Sequence, residues 1–553
     1  MSPTIALALS VLLTLPLQQD PPGSAPVRAK DRVTVTLAVG AGSLRPAADP
    51  DAQPAEPAAT ASPDLGPGRL ILFMIESGRR APRGEPMEAP FYSNPQPVAS
   101  LEVGGLKVGG SITIDATALA WPVAIDDLDG EFRIQALYRL NAAATNELRG
   151  HLAPGNVFSE TKVVQFSRDA PDSFELVLSQ RVPDEPLPEA PNLKWVEIPS
   201  KRLSAALGRE VMLRCGVVFP KGYDDIQAKR RFWPTIYVIP GFGGDHRMAE
   251  NYASMLATPG TETLAPQAVY VIPDPNGPYG HHGFVNAEAT GPRGDAFVRE
   301  LIPELEERFR LVAKPEARIV TGHSSGGWSS LWLQLQYPDV FGACFSSAPD
   351  PVDFSAFQRT DLYADQNAFT DAEGREQASF RQPLGPEEDR VLMTVREEVG
   401  VEHVLGPLGD SGEQWGAWAA MFGTLDPRRG PRWAFDPVTG AIDRAIVERE
   451  WSRFDIARLV MGDWKRYGPI LAERVRLLCG ARDSYYLERA VITLRDKVQA
   501  RREADIAQGI APPAGAGYIE IIPRATHETI VPLTTMRWNG EMVDFLKKGG
   551  FHD

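Results

Sequence analysis

One stretch limits what this chain can become: Ala317-Arg318-Ile319-Val320-Thr321-Gly322-His323-Ser324-Ser325-Gly326-Gly327-Trp328, an apolar run that breaks into glycines around a serine and resumes as an amphipathic segment. It reads as strand, sharp turn, helix. A G-x-S-x-G pentapeptide in that setting lifts one serine hydroxyl, here that of Ser324, clear of a sheet, while small neighbours let the backbone pass close by. With 49 Gly in 553 residues, the bare pentapeptide arises by chance roughly 0.2 times per chain. Its meaning therefore depends on partners elsewhere in the chain.

Length and composition leave room for them. A chain of 553 residues with 43% hydrophobic and 23% charged content has the make-up of a multidomain globular protein. A formal net charge of -15 argues against nucleic acid or an anionic membrane as partner, since both require a basic face. The apolar run 5–17 has signal-peptide length and is too short to span a bilayer comfortably. Residues 1–18 are accordingly expected to be a signal peptide and the protein to be exported, periplasmic or extracellular, with no integral membrane contact beyond that segment. Cys215, Cys344 and Cys479 are odd in number and widely spaced, which fits buried core thiols better than a disulfide framework.

Residues 19–67 are rich in Pro, Ala and Asp and read as a flexible linker, interrupted by the strand-like alternation Val33-Thr34-Val35-Thr36-Leu37. From 68 to 190, short β-like runs separated by Gly, Pro and Asp turns predict a small immunoglobulin-like β-sandwich. From 191 to 553, strands alternate with helices, the pattern of a mostly parallel sheet. Phe297, Leu301, Leu305 and Phe309 recur every fourth residue and predict a helix over 295–309. The stretch 350–465 leaves this rhythm. It is turn-rich, holds Trp415, Trp418, Trp433, Trp451 and Trp464, and reads as an insertion above the strand ends that shapes a pocket. Hydrophobic packing accounts for most of its tryptophans, with one or two left to stack on a sugar or phenolic ring.

A serine nucleophile needs a base for its proton, an acid to orient that base, and N–H donors for the oxyanion. Beyond the last expected strand, 518–522, only His527 and the near-terminal His552 remain of eight histidines. His527, in the loop just after that strand, is the candidate base. Asp483 follows the strand-ending Gly480 and is the candidate acid. The donors are expected from Ser325, directly after the nucleophile, and from Gly241-Phe242-Gly243-Gly244 after the strand 235–239, with Phe242 first and Gly243 second.

With these residues placed, the span from about 194 to the C-terminus resembles the putative-esterase family of α/β-hydrolases, which includes feruloyl and acetylxylan esterases, esterase D, enterobactin esterases and mycolyltransferases. The resemblance rests on Val217-Val218-Phe219-Pro220-Lys221-Gly222-Tyr223, Tyr237-Val238-Ile239-Pro240-Gly241, Glu300-Leu301-Ile302-Pro303, Gly322-His323-Ser324-Ser325-Gly326-Gly327 and Gly480-x-x-Asp483. It is greatest with exported bacterial members that carry an N-terminal β-rich domain. It implies an α/β-hydrolase fold, Ser324, Asp483 and His527 as a catalytic triad, and neither metal nor organic cofactor. The insertion 350–465 departs from compact family members, so their substrate pocket does not carry over.

Further substrate-binding candidates are His282 and Asn286, in the loop after the strand 269–272, and Trp328 on the helix after the serine. His281 and His282 have no carboxylate at ligand spacing, so no metal site is expected there. His323 is read as structural, and Trp328 and Trp332 more readily as core than as a platform. The expected activity is hydrolysis of a small-molecule or polysaccharide-linked carboxylic ester through an acyl-enzyme. The alternatives are acyl transfer to a sugar alcohol, as in mycolyltransferases, and a catalytically silent binding role.

Overall fold

A computed structural model describes residues 32–37, 64–78, 84–88, 95–140, 150–169, 172–226, 230–260, 265–385 and 388–551. The expected signal segment, and the expected linker apart from 32–37 and 64–67, lie outside the described residues. Among the described residues no helix is long and apolar enough to cross a membrane.

Among its described residues the N-terminal unit has nine strands: β1 (Arg32–Leu37), β2 (Gly68–Glu76), β3 (Val98–Val103), β4 (Ser111–Ile114), β5 (Leu119–Trp121), β6 (Gly130–Arg139), β7 (Val157–Ser159), β8 (Lys162–Phe166) and β9 (Ser173–Arg181). They form one hydrogen-bonded sheet in the order β4-β1-β9-β7-β6-β2-β3-β5, with β8 also on β6. β1, inside the stretch read as linker, pairs in parallel with β9 and antiparallel with β4. Its alternation explains the pairing, because Val33 and Val35 enter the core while Thr34 and Thr36 do not.

The sequence of β2, Leu70-Ile71-Leu72-Phe73-Met74-Ile75, does not alternate, as expected of a strand buried on both faces. Leu70, Leu72 and Met74 join a core with Val33, Phe132, Ile134 and Tyr138, enclosed by the sheet itself. Ile71 and Phe73 face the other way, onto Val401, Val404 and Leu405 of the helix Val395–Leu405 in the insertion. Polar groups on this second face find partners across the domain boundary. Ser100 Oγ donates to the Val404 carbonyl at 2.6 Å, and Arg139 donates to the Asp410 carbonyl at 2.7 Å and pairs with its carboxylate.

The second sheet runs β10 (Leu193–Pro199), β11 (Met212–Val218), β13 (Val269–Pro273), β12 (Thr235–Ile239), then the strands Arg318–His323, Ala343–Ser347, Val475–Gly480 and Tyr518–Ile522. β10 and β11 are antiparallel to their neighbours, and every later pairing is parallel. The C-terminal ends of the parallel strands share one edge, where ligands of open α/β sheets bind. Ser324, Asp483 and His527 all follow such ends.

The helix expected over 295–309 is Arg293–Ala296 and Ile302–Arg308 joined by a π-turn, Phe297–Leu301. Apolar residues spaced by four drift around an α-helix of 3.6 residues per turn, and the wider π-turn keeps Phe297, Leu301 and Leu305 on the buried side. The last helix is Ile530–Lys548, with Pro532 in its first turn. Proline is tolerated there because the N–H groups of a first turn have no intrahelical acceptor.

The insertion folds as a hairpin, Ala378–Pro383 with Asp389–Thr394, followed by short helices. Trp415, Trp418, Trp433, Trp451 and Trp464 are all buried. Phe357 and Trp418 meet edge-on at 4.9 Å, as do Trp415 and Trp418. Cys215, Cys344 and Cys479 are free and buried.

Candidate active site

The turn after Arg318–His323 is set by close backbone approach. A Cβ at Gly326 would lie 2.1 Å from the Ile239 carbonyl oxygen, and one at Gly322 would lie 2.2 Å from that of Gly326. Only glycine lets the elbow helix Ser325–Gln336 settle on β12. Ser324 itself adopts φ 61° and ψ -128°, a region that strains a non-glycine residue by about 1–3 kcal/mol and is held by its surroundings. Its N–H donates to the Ser347 carbonyl at 3.0 Å, and its carbonyl accepts from Trp328 N–H at 3.0 Å.

His527 sits in the turn after Tyr518–Ile522, with Nδ1 2.7 Å from Asp483 Oδ2. Asp483 is fully buried, and its Oδ1 accepts from the N–H groups of Tyr485 and Leu487 at 2.9 and 3.4 Å. Those backbone donors fix the carboxylate, which in turn keeps the imidazole proton on Nδ1 and leaves the Nε2 lone pair free to accept a proton. The rings of His323 and Tyr485 flank His527 at 4.3 and 4.8 Å. Burial works against a charged His527, but the charge and hydrogen bond of Asp483, with Glu528 and Asp350 farther out, turn the net shift upward. His323 is pushed the other way, to about 3, by burial and by the neighbouring His527, and its Nδ1 lies 3.0 Å from Ser347 Oγ.

The loop after β12 approaches the same serine, since a Cβ at Gly241 would lie 3.5 Å from Ser324 Cβ. His281 steadies this loop. Its Nδ1 accepts from Gly283 N–H at 3.1 Å, so Nε2 carries the proton and donates to the Pro240 carbonyl at 3.0 Å. Burial lowers its pKa to about 4, which keeps it neutral. Phe242 lines the cleft above Ser324, and Gly243 takes the positive φ of 81° that the turn requires. Ser325 opens the elbow helix, so its N–H has no intrahelical acceptor.

Ser324 and His527 open onto a cleft of about 850 Å³. The expected substrate contacts His282, Asn286 and Trp328 do not line it. His282 is buried and accepts from Phe284 N–H at 3.1 Å, Asn286 is occupied by Tyr337 and the Asp295 N–H, and Trp328 is fully buried against Trp332 at 5.4 Å. The loop after β13 turns inward to support backbone, and the elbow helix presents Trp328 to the core. Among the described residues no three His, Cys, Asp or Glu side chains converge as a metal would need.

The cleft walls come instead from the insertion, which the sequence places above the strand ends, and from the β domain. Gln358, Phe380, Glu398, Glu402, Glu413 and Trp418 belong to the insertion, and Glu88, His151 and Leu152 to the β domain. Glu402 accepts from the N–H groups of Trp415 and Gly416, at 2.9 and 3.0 Å, at the start of the helix Gln414–Phe422. Glu398 accepts from Trp415 Nε1 at 2.8 Å. Burial pushes both carboxyls up, Glu402 further because Glu398 is beside it. A trace of this was available in sequence, because like charges four apart on a helix are unfavourable unless the site uses them. Nothing local marked His151.

Residues 204–438 match the family model described as "Putative esterase". That segment, less than half of the chain, is similar to the esterase family. The match includes Ser324 and ends before Asp483 and His527, so those two enter the candidate site on geometry. A search of curated proteins found no match. Among solved structures, the chain is similar to a ferulic acid esterase (13% identity over 64% of this chain and 99% of that one, TM-score 0.35). It is also similar to an S-formylglutathione hydrolase from Agrobacterium tumefaciens (16% identity, 64% and 97%, TM-score 0.33). A third is a ferulic acid esterase from the anaerobic fungus Anaeromyces mucronatus (15% identity, 66% and 96%, TM-score 0.30). At these values the reading of the esterase site rests on its own geometry and on the family match.

Proposed function

We propose that the chain is a serine carboxylic-ester hydrolase that works through an acyl-enzyme. Ser324 Oγ bonds to the ester carbonyl carbon as His527 Nε2 takes its proton, and Asp483 holds the Nδ1 proton and stabilises the imidazolium. The oxyanion is received by the N–H groups of Phe242 and Ser325. Collapse of the intermediate breaks the bond to the alcohol, which leaves with the proton from His527. Water, deprotonated by the same imidazole, then cleaves the acyl-enzyme and restores the serine. The observation that carries this reading is the 2.7 Å contact of His527 with a buried, backbone-anchored Asp483 beside a serine at φ 61°.

The cleft, lined by aromatic Phe380, Trp418 and Tyr485 and by polar Gln358 and Glu413, suits an ester borne on a carbohydrate, which offers hydroxyls beside apolar ring faces. The apolar run 5–17 supports an extracytoplasmic setting for it. Ser324→Ala should abolish turnover of a short p-nitrophenyl ester and labelling by a fluorophosphonate while leaving the circular dichroism unchanged. Retained turnover in that variant would sink the assignment.

A further inference from the structure

Asp350 lies just beyond the strand Ala343–Ser347, buried to 3% exposure in the cleft wall. Its Oδ2 accepts from Ser325 Oγ at 2.7 Å and from Trp418 Nε1 at 2.8 Å, and its N–H donates to the Ser324 carbonyl at 3.4 Å. Asp350 thus holds the nucleophile turn twice, with its N–H at the Ser324 carbonyl and its carboxylate at the Ser325 hydroxyl, and the same carboxylate ties the turn to a tryptophan of the insertion. Neither the proposed proton relay nor the oxyanion donors make use of it.

The surroundings leave its charge uncompensated by fixed cations. Across the cleft the elbow strand presents His323, the loop after Tyr518–Ile522 presents His527, and the insertion presents Glu398, Glu402 and Glu413, with Asp483 buried behind. No Lys or Arg is among the described residues lining the cleft. An anion held beside an imidazole favours its protonated form, the form His527 takes in the transition state.

We propose that Asp350 is a positioning residue of the serine centre: its carboxylate fixes the Ser324–Ser325 peptide through the Ser325 hydroxyl, couples that peptide to Trp418, and adds its charge to that of Asp483 in stabilising the His527 imidazolium. This rests on the serine-esterase reading. The insertion is then part of the catalytic centre as well as a wall around it. Burial raises Asp350 to about 6, against the hydrogen bonds from Ser325 and Trp418, so the group is ionised over the range in which a histidine base works.

The test uses the full chain, with p-nitrophenyl acetate turnover and the rate of fluorophosphonate labelling of Ser324, each measured from about pH 5 to 9. Asp350→Asn should lower kcat about tenfold with KM little changed, and move the acid limb of both profiles to lower pH. Ser325→Ala retains the charge and the backbone N–H, so it should lower kcat while leaving the limb in place. Combined with Asp350→Asn, its effect should be less than additive. An unmoved limb with kcat within about twofold of wild type in Asp350→Asn overturns the proposal. If that variant does not fold, Ser325→Ala decides: a kcat within about twofold of wild type overturns the tie. Absence of labelling in the wild-type chain would instead sink the serine-esterase reading itself.

Discussion

His151 of the β domain stands 3.4 Å from Glu413 of the insertion, and both side chains face the cleft onto which Ser324 opens. The ring is held from behind by its other nitrogen, 3.1 Å from the Met87 carbonyl. Two chain segments more than 250 residues apart thus meet at one wall of the candidate site. The β domain is built into the cleft, with β2 buried against the insertion helix on its outer face.

That contact predicts an effect of the β domain on which ester is accepted. His151→Ala should lower kcat/KM for bulky aryl or glycosyl esters by about tenfold, and by much less for p-nitrophenyl acetate, which does not reach that wall. Equal losses for both would contradict the assignment, and a substrate-size series measures the difference.

The pH dependence of activity follows from the direction of the His527 shift. Asp483 holds its pKa above the ordinary imidazole value, and the base must be neutral to accept the serine proton. The acid limb of kcat/KM should therefore lie above the usual histidine range, near 6.5, and fall back toward or below it in Asp483→Asn. The apparent value belongs to the cleft as a whole, because Asp350 titrates near it. His323 and His281, held near 3 and 4, add no limb of their own.

Two buried carboxyls should weaken the fold as pH rises. Burial raises Asp350 to about 6 and, outweighing its pair with Arg381, raises Glu488 to about 7. A carboxyl whose pKa is higher in the fold than in the unfolded chain adds stability that is complete below the unfolded value and lost as pH rises through the folded one. His281 and His323, held neutral by burial, act in the opposite direction over the same window, so the carboxyl contribution is read by difference: between about pH 4 and 7 the melting temperature of Glu488→Gln should rise relative to that of the wild type. A difference that shrinks across this window would refute the sign.

Gly326→Ala tests the packing under the nucleophile turn. Its new methyl would meet the Ile239 carbonyl oxygen at 2.1 Å and the Pro240 carbonyl oxygen at 2.9 Å, and neither is a side chain that can swing away. A loss of about 1–3 kcal/mol or more is expected, read by urea unfolding, together with slower fluorophosphonate labelling as Ser324 shifts. Wild-type stability in this variant would mean that the elbow helix can move off β12 freely.

Most strands of the second sheet and its mostly parallel character were readable from the chain alone, because those strands are short apolar runs, whereas β10 and the crossing of β13 between β11 and β12 were not. The places of Ser324, Asp483 and His527 just past strand ends were readable too, since parallel strands bring their C-terminal ends to one edge whatever lies between them. The π-turn at Phe297–Leu301 also left a trace, in apolar residues spaced by four rather than alternating between three and four. These are local signals, carried by near neighbours in sequence. The cleft walls carried no such signal. Asp350 meets Trp418 68 residues on, and His151 meets Glu413 only because a nine-stranded sheet docks on the helix Val395–Leu405. His282 looked available in sequence, yet its own loop buries it, whereas Trp328, read more readily as core, lies in the core. Periodicity and motif order determined the sheet and the chain order around Ser324. Long-range packing, which satisfies buried polar groups with partners far away in sequence, decided what surrounds it.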